Sequence, residues 1–213
     1  MKKRNIFLAL GWLIAFVLWT VAVRSIDVQA IGPEGTQVGF ATWNSWMHQW
    51  IGVHWSLYTW TDWLSLVPLA FMVGFAVLGL SQWIRRKSLR KVDAGLLALG
   101  GFYVAVAAAF LVFECFPVNY RPVLIEGALE ASYPSSTTLL VLCVMPTAGM
   151  QLRERIANPQ LRRWIPAGIA AFTVMMVLGR LLSGVHWVTD IVGGILLSAG
   201  FVRMYRAALE AFK

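Results

Sequence analysis

Charge is what this sequence has least of. Only 10 of its 213 residues are acidic, and charged residues of both signs make up 13% against 59% hydrophobic. A water-soluble fold of this size needs more charge on its surface, and the mean hydropathy of +0.68 excludes the soluble class. Cysteine is nearly missing too. Cys115 and Cys143 both fall within apolar runs, which excludes a disulfide framework and leaves no metal-binding spacing, so both read as packing residues. No internal repeat and no low-complexity segment is present. The net charge of +8 could suggest a nucleic-acid partner. Its distribution excludes one, because the basic residues stand in short clusters between apolar runs, where they orient spans in a bilayer.

Crossing the hydrocarbon takes roughly 20 apolar residues. On that ruler the sequence predicts six spans, about 5–23, 60–84, 94–116, 134–151, 165–183 and 187–207. The start of the second is blurred by Asp62 and several tryptophans. The basic clusters lie before the first span, at 85–91 between spans two and three, at 153–163 between four and five, and at the chain end. Together they hold 15 of the 18 Lys and Arg residues, all on one side of a six-span arrangement. The positive-inside rule then puts both termini in the cytoplasm. Lys2, Lys3 and Arg4 ahead of an apolar run also fit a signal peptide. The long apolar stretch, and the lack of a small-residue cleavage site before Arg24, favour retention.

Within 25–59, Trp43, Trp46, Met47 and Trp50 recur at i, i+3, i+4 and i+7, with Asn44, Ser45, His48 and Gln49 on the other faces. That pattern predicts a short helix anchored in the outer interface, where tryptophan prefers to lie. His48 and His54 read as interfacial polar residues. The expected architecture is all-α: a polytopic six-helix bundle with an interfacial helix after the first span, forming one domain over 1–213.

Three basic residues, Arg24, Arg121 and Arg180, fall on the other side and need a separate explanation. Arg180 stands in Gly-Arg-Leu-Leu-Ser-Gly-Val-His-Trp-Val-Thr-Asp, which runs on to His186 and Asp190. The last two are four apart, so on one helix they share a face. An aspartate accepting from one imidazole nitrogen fixes the tautomer and leaves the other nitrogen free as a nucleophile. Ser183-Gly184 can turn Arg180 back toward His186, where a guanidinium grips phosphate oxygens in pairs. Arg121 lies in another loop on the same side. Pro134 followed by Ser135, Ser136, Thr137 and Thr138 opens the fourth span, and free amides at a helix start favour an anion. Ionisable groups gathered at one membrane edge are functional candidates. With no charge near mid-depth, they disfavour a transport path.

This arrangement resembles the type-2 phosphatidic acid phosphatase superfamily, six-helix lipid phosphatases related to vanadium haloperoxidases. That family carries Lys-x6-Arg-Pro, then Pro-Ser-Gly-His, then Ser/Gly-Arg-x5-His-x3-Asp. The third signature is complete here from Arg180 through His186 to Asp190. The first keeps Arg121-Pro122 but has Glu114 at its lysine. The second reads Pro134-Ser135-Ser136-Thr137, with Thr137 at its histidine. The resemblance covers 114–190 by motif. It implies a lipid substrate in the bilayer, His186 as a phosphohistidine nucleophile oriented by Asp190, and phosphate binding by Arg121, Arg180 and the Ser135–Ser136–Thr137 segment. It implies no metal or cofactor.

In that family the second signature's histidine protonates the departing alcohol, a step worth about 10²–10⁴-fold. A threonine hydroxyl is too weak an acid for it. A diphosphate lipid, whose leaving group is itself a phosphate, needs the acid least. Glu114, Glu126 or Glu130 could supply a proton if apolar surroundings raise its pKa. The alternative is a weak or inactive head-group binder, or a phosphotransferase, of the same fold. The predicted topology has a direct check. A cysteine placed within 86–91 stays protected from an impermeant thiol reagent in intact cells, and one near 128 is labelled.

Overall fold

The computed structural model describes residues 2–212, and every regular element among them is helical. Eight α-helices follow in order: α1 (Lys2–Ser25), α2 (Ala41–Ile51), α3 (Trp55–Leu64), α4 (Leu66–Arg86), α5 (Ala94–Cys115), α6 (Ser136–Arg155), α7 (Pro159–Leu182) and α8 (Val188–Leu209). Their starts are written in the sequence. Asp93 caps α5 by accepting from the Gly95 amide at 2.9 Å. Asn158 caps α7, accepting from Gln160 at 2.9 Å and Leu161 at 3.3 Å, with Pro159 in the first helical position.

Five segments are long and apolar enough to cross a membrane: α1, the α3–α4 run Trp55–Arg86, α5, α7 and α8. The expected second span is thus longer than 60–84 and interrupted at Ser65. The fourth expected span is α6, a 20-residue helix that reaches about 30 Å but is much less apolar than the rest. Its surroundings explain why. It packs against α4, α5, α7 and α8, so it meets protein where the others meet lipid. Thr147 and Gln151 on α6 are fully buried and hydrogen-bonded, Thr147 to the Cys143 and Val144 carbonyls and Gln151 to the Tyr205 hydroxyl. Cys143 is buried in the same core, as expected of a packing residue, whereas Cys115 ends α5 exposed.

Along the other side of the bundle α1 lies against α8, close enough that a Cβ on Gly200 would come 2.7 Å from Leu13. Their chain ends meet, Asn5 Nδ2 donating to Glu210 Oε1 at 3.0 Å. The same end carries the other basic segments. Arg155 at the close of α6 pairs tightly with Asp93 at the start of α5, and Arg4, Arg153, Arg162 and Arg203 line one cavity there.

At the opposite end α2 forms over the predicted residues, and its polar side turns inward. Asn44 is buried, donating to the Gly39 carbonyl at 2.8 Å and the Thr189 hydroxyl at 3.0 Å, and accepting from the Thr189 amide at 3.4 Å. Trp46 and Trp50 face outward, 61% and 73% exposed, as an interfacial anchor requires. His48 packs beside Trp187, ring centroids 5.5 Å apart, and burial lowers its pKa. His54 is exposed and hydrogen-bonds the Ile51 carbonyl. Asn44→Ala leaves the Gly39 carbonyl and the Thr189 hydroxyl unpartnered. We expect a loss of about 1–3 kcal/mol, read as a lowered thermal midpoint of the purified protein in detergent.

Candidate active site

The loop from α5 to α6 doubles back on itself, and that fold gathers residues far apart in sequence. Arg121 N–H donates to the Glu130 carbonyl at 3.1 Å, and Ser132 N–H to the Asn119 carbonyl at 2.9 Å, so Asn119, Arg121, Glu130 and Ser132 sit side by side. The α7–α8 turn faces them. Gly184 takes φ +69°, and a Cβ there would lie 1.9 Å from the Gly52 carbonyl oxygen, so only glycine fits. The turn is tied down further by His54 N–H donating to the Ser183 carbonyl at 2.9 Å, and by Ser135 N–H donating to the Asp190 carbonyl at 3.1 Å.

His186 and Asp190 come together, but not as their spacing suggests. His186 precedes the first residue of α8, so the one-turn geometry of a shared helix does not apply to it. Its Nδ1 stands 3.9 Å from Asp190 Oδ2, beyond hydrogen-bond reach. Ser132 fills the gap, its Oγ 3.0 Å from His186 Nδ1 and 2.5 Å from Asp190 Oδ2. An ionised carboxylate only accepts, so the serine hydroxyl donates to Asp190 and in turn accepts from Nδ1–H. The tautomer follows. Nε2 keeps its lone pair, and Arg121 Nη1 donates to it at 3.1 Å. The direct Asp190–His186 hydrogen bond expected from the sequence is therefore replaced by a serine-bridged one. Asp190 also accepts from Asn119 Nδ2 at 3.2 Å and the Trp187 amide at 3.0 Å, which satisfies a fully buried carboxylate. Burial, reinforced by the positive charges of Arg121 and Arg180, pushes the His186 pKa well below the ordinary imidazole range. That shift favours the neutral ring.

Both arginines are almost entirely buried, and each has a carboxylate beside it. Arg121 Nε lies 3.0 Å from Glu130 Oε2, and Arg180 Nη1 lies 3.8 Å from Asp62 Oδ1 and 3.4 Å from the Thr61 hydroxyl. The Arg180 guanidinium also covers the Tyr58 ring at 4.8 Å. Neither Nε has an aligned hydrogen-bond acceptor, despite the closeness of Glu130 to Arg121. Arg180 Nε is thus a buried donor without an acceptor, and Arg121 Nε is held by Glu130 through charge with poor alignment; an anion that accepts from them would relieve that cost.

The second-signature residues divide. The Ser135 hydroxyl is fully buried and caps α6, accepting from the Thr138 hydroxyl at 3.0 Å and the Thr138 amide at 3.5 Å. Ser136 and Thr137 occupy the first turn of α6, where backbone amides lack helical acceptors. Ser136 lines two adjoining cavities. One, of about 250 Å³, also holds Glu114, Arg121, Glu130 and Ser132. The other, of about 370 Å³, holds Thr137 and Asp62 and continues between Leu69, Met72, Val106 and Leu140 of α4, α5 and α6. Glu114 therefore shares a cavity with Arg121 and Ser132. Glu126 sits exposed at the tip of the loop, away from both cavities.

Sequence reasoning missed Ser132 and Asn119 and read Asp62 as an interruption of a span. Ser132 and Asn119 each lie two residues before a motif residue, Pro134 and Arg121, and only the folded loop gives them meaning. The serine bridge makes a measurable claim. In an NMR titration, the His186 imidazole stays neutral to a pH below about 6.5, the usual midpoint. Ser132→Ala removes the Nδ1 acceptor and changes the tautomer balance in the ring nitrogen shifts; an unaltered spectrum counts against the bridge.

Three comparisons with known proteins bear on this geometry. Residues 114–212 match the family model described as the PAP2 superfamily. Among curated proteins none matches the chain. Among solved structures the chain is similar to the crystal structure of a transmembrane PAP2 type phosphatidylglycerolphosphate phosphatase from Bacillus subtilis, at 16% sequence identity and a TM-score of 0.68, covering 97% of this chain and 98% of that one. The matched segment contains Arg121, Arg180, His186 and Asp190, and the fold agrees over nearly the full length; the chain is a multi-pass membrane protein whose residues 114–212 match the PAP2 superfamily.

Proposed function

We propose that this chain is a metal-independent lipid phosphatase that removes a terminal phosphate from a diphosphate or monophosphate lipid at the non-cytoplasmic face. The observation that carries the reading is the imidazole. His186 is buried and neutral, with Nδ1 committed through Ser132 to Asp190 and Nε2 carrying a lone pair beside Arg121. A phosphate entering the cavity takes over the Arg121 and Arg180 donors and frees Nε2. Nε2 then bonds to phosphorus as the bond to the leaving oxygen breaks, and the ring's new positive charge is offset through Ser132 by Asp190. Water then attacks phosphorus, the P–N bond breaks, and inorganic phosphate leaves. Ser136 and Thr137 contribute amides at the start of α6, and Ser135 positions them as its cap. The polar cavity beside Arg121 would take the head group and the apolar one between α4, α5 and α6 the lipid chain; His186 and Arg180 lie behind their walls.

The missing acid points to a diphosphate lipid, whose phosphate leaving group departs without strong protonation. One observation favours a second reading, hydrolysis of a monophosphate. Asp62 shares a cavity with Thr137, the residue at the acid's position, so in its protonated form it can deliver a proton there. Purified protein is expected to release phosphate from a polyprenyl diphosphate without added metal, and His186→Ala to abolish release, since no other group replaces a covalent nucleophile. Silence across diphosphate and monophosphate lipids, beside a working control, removes the hydrolase reading. If Asp62 is the acid, Asp62→Asn lowers monophosphate turnover by about 10²-fold or more and spares the diphosphate; equal losses on both eliminate that role.

A further inference from the structure

At the end of the bundle away from His186, five arginines from four helices converge on one cavity of about 450 Å³: Arg4 of α1, Arg153 of α6, Arg162 of α7, and Arg203 and Arg206 of α8. Some basic excess at this end follows from topology alone, but its convergence does not. Among the described residues, Arg4, Arg153 and Arg162 make no ion pair. Arg203 is held in place, donating to Asn5 Oδ1 at 3.3 Å, while Asn5 Nδ2 donates to Glu210 Oε1 at 3.0 Å. Glu154 and Glu210 also line the cavity, so its side chains sum to a positive charge. Glu210 Oε2 is buried without a hydrogen-bond partner, an acceptor facing a site built mostly of donors.

A second cavity continues from the first. It has about 430 Å³, shares Met150, Arg153 and Arg206 with the arginine pocket, and runs between α6 and α7 past Gly149, Ala170 and Val174. Its walls are almost wholly apolar. Gly149 keeps it narrow but open, since a Cβ there would come 3.0 Å from Ile169 Cδ1. A basic head pocket leading into an apolar slot at hydrocarbon depth matches the two parts of a phospholipid. Free phosphate would use only the first part.

From this continuity we propose that the α6–α7–α8 end binds one anionic phospholipid, with its phosphodiester on the arginines, a head-group hydroxyl on Glu210, and an acyl chain in the α6–α7 slot. Basic pockets between membrane helices suit such head groups. The site is roughly 25 Å along α6 from the imidazole. It is separate from the proposed catalysis and does not depend on it.

Delipidated protein titrated with phosphatidylglycerol and read by native mass spectrometry tests this. A phosphodiester also avoids the phosphomonoester and anhydride chemistry proposed for His186. We expect one tightly retained lipid, and a drop in affinity on the order of 10-fold to 30-fold in Arg153→Gln/Arg206→Gln. Val174→Trp, which fills the slot and leaves the arginines intact, should weaken retention as well. Arg121→Gln should retain the lipid as the unaltered protein does. Four results overturn the proposal: undiminished binding in both slot and arginine variants, equal retention of phosphatidylcholine, displacement by millimolar inorganic phosphate, or loss of binding in Arg121→Gln.

Discussion

A carboxylate without water must find its hydrogen bonds within the protein, and in this chain that requirement organises the His186 end of the bundle. Asp190 takes its three from Ser132, Asn119 and the Trp187 amide. Two come from the α5–α6 loop and one from the start of α8, so satisfying one buried charge closes the loop over the helix end. The position of Ser132 fixes the tautomer of His186, and the tautomer decides which nitrogen meets Arg121. Backbone contacts extend the arrangement to α6 through Ser135. The site is assembled around an anion the protein carries itself.

Hydropathy revealed the membrane class and the approximate place of each long helix, because lipid-facing helices must be apolar on nearly every side; it did not show that the second span is broken into α3 and α4. It described α6 least well for the same reason. A helix surrounded by other helices is released from that requirement and can carry threonine and glutamine. The tryptophan period located α2 correctly and left its polar side unassigned; Asn44 proved to be the residue that docks it to α8. Periodicity shows that two faces differ. Which one is buried depends on what lies opposite.

At the site, Arg121, Arg180, His186, Asp190 and Glu114 were legible because chemistry that needs charge in an apolar chain stands out. Ser132 and Asn119 were not, since a serine or an asparagine in a loop has no signature until a partner is in place. Spacing misled at one point. An i, i+4 pair implies contact only within a helix, and the chain at His186 is not yet helical. Asp62 was obscured differently, its charge reading as a defect in a span until α3 packed against α7 beside Arg180.

The inward asparagine and outward tryptophans of α2 act together as a depth gauge. The indoles settle at the head-group layer, and Asn44 links that height to Thr189, one residue from Asp190. The imidazole is thereby registered to the nearer head-group layer, whatever the distance to the far one. In a thicker or thinner bilayer the mismatch falls on the arginine-rich end, and the histidine keeps its depth.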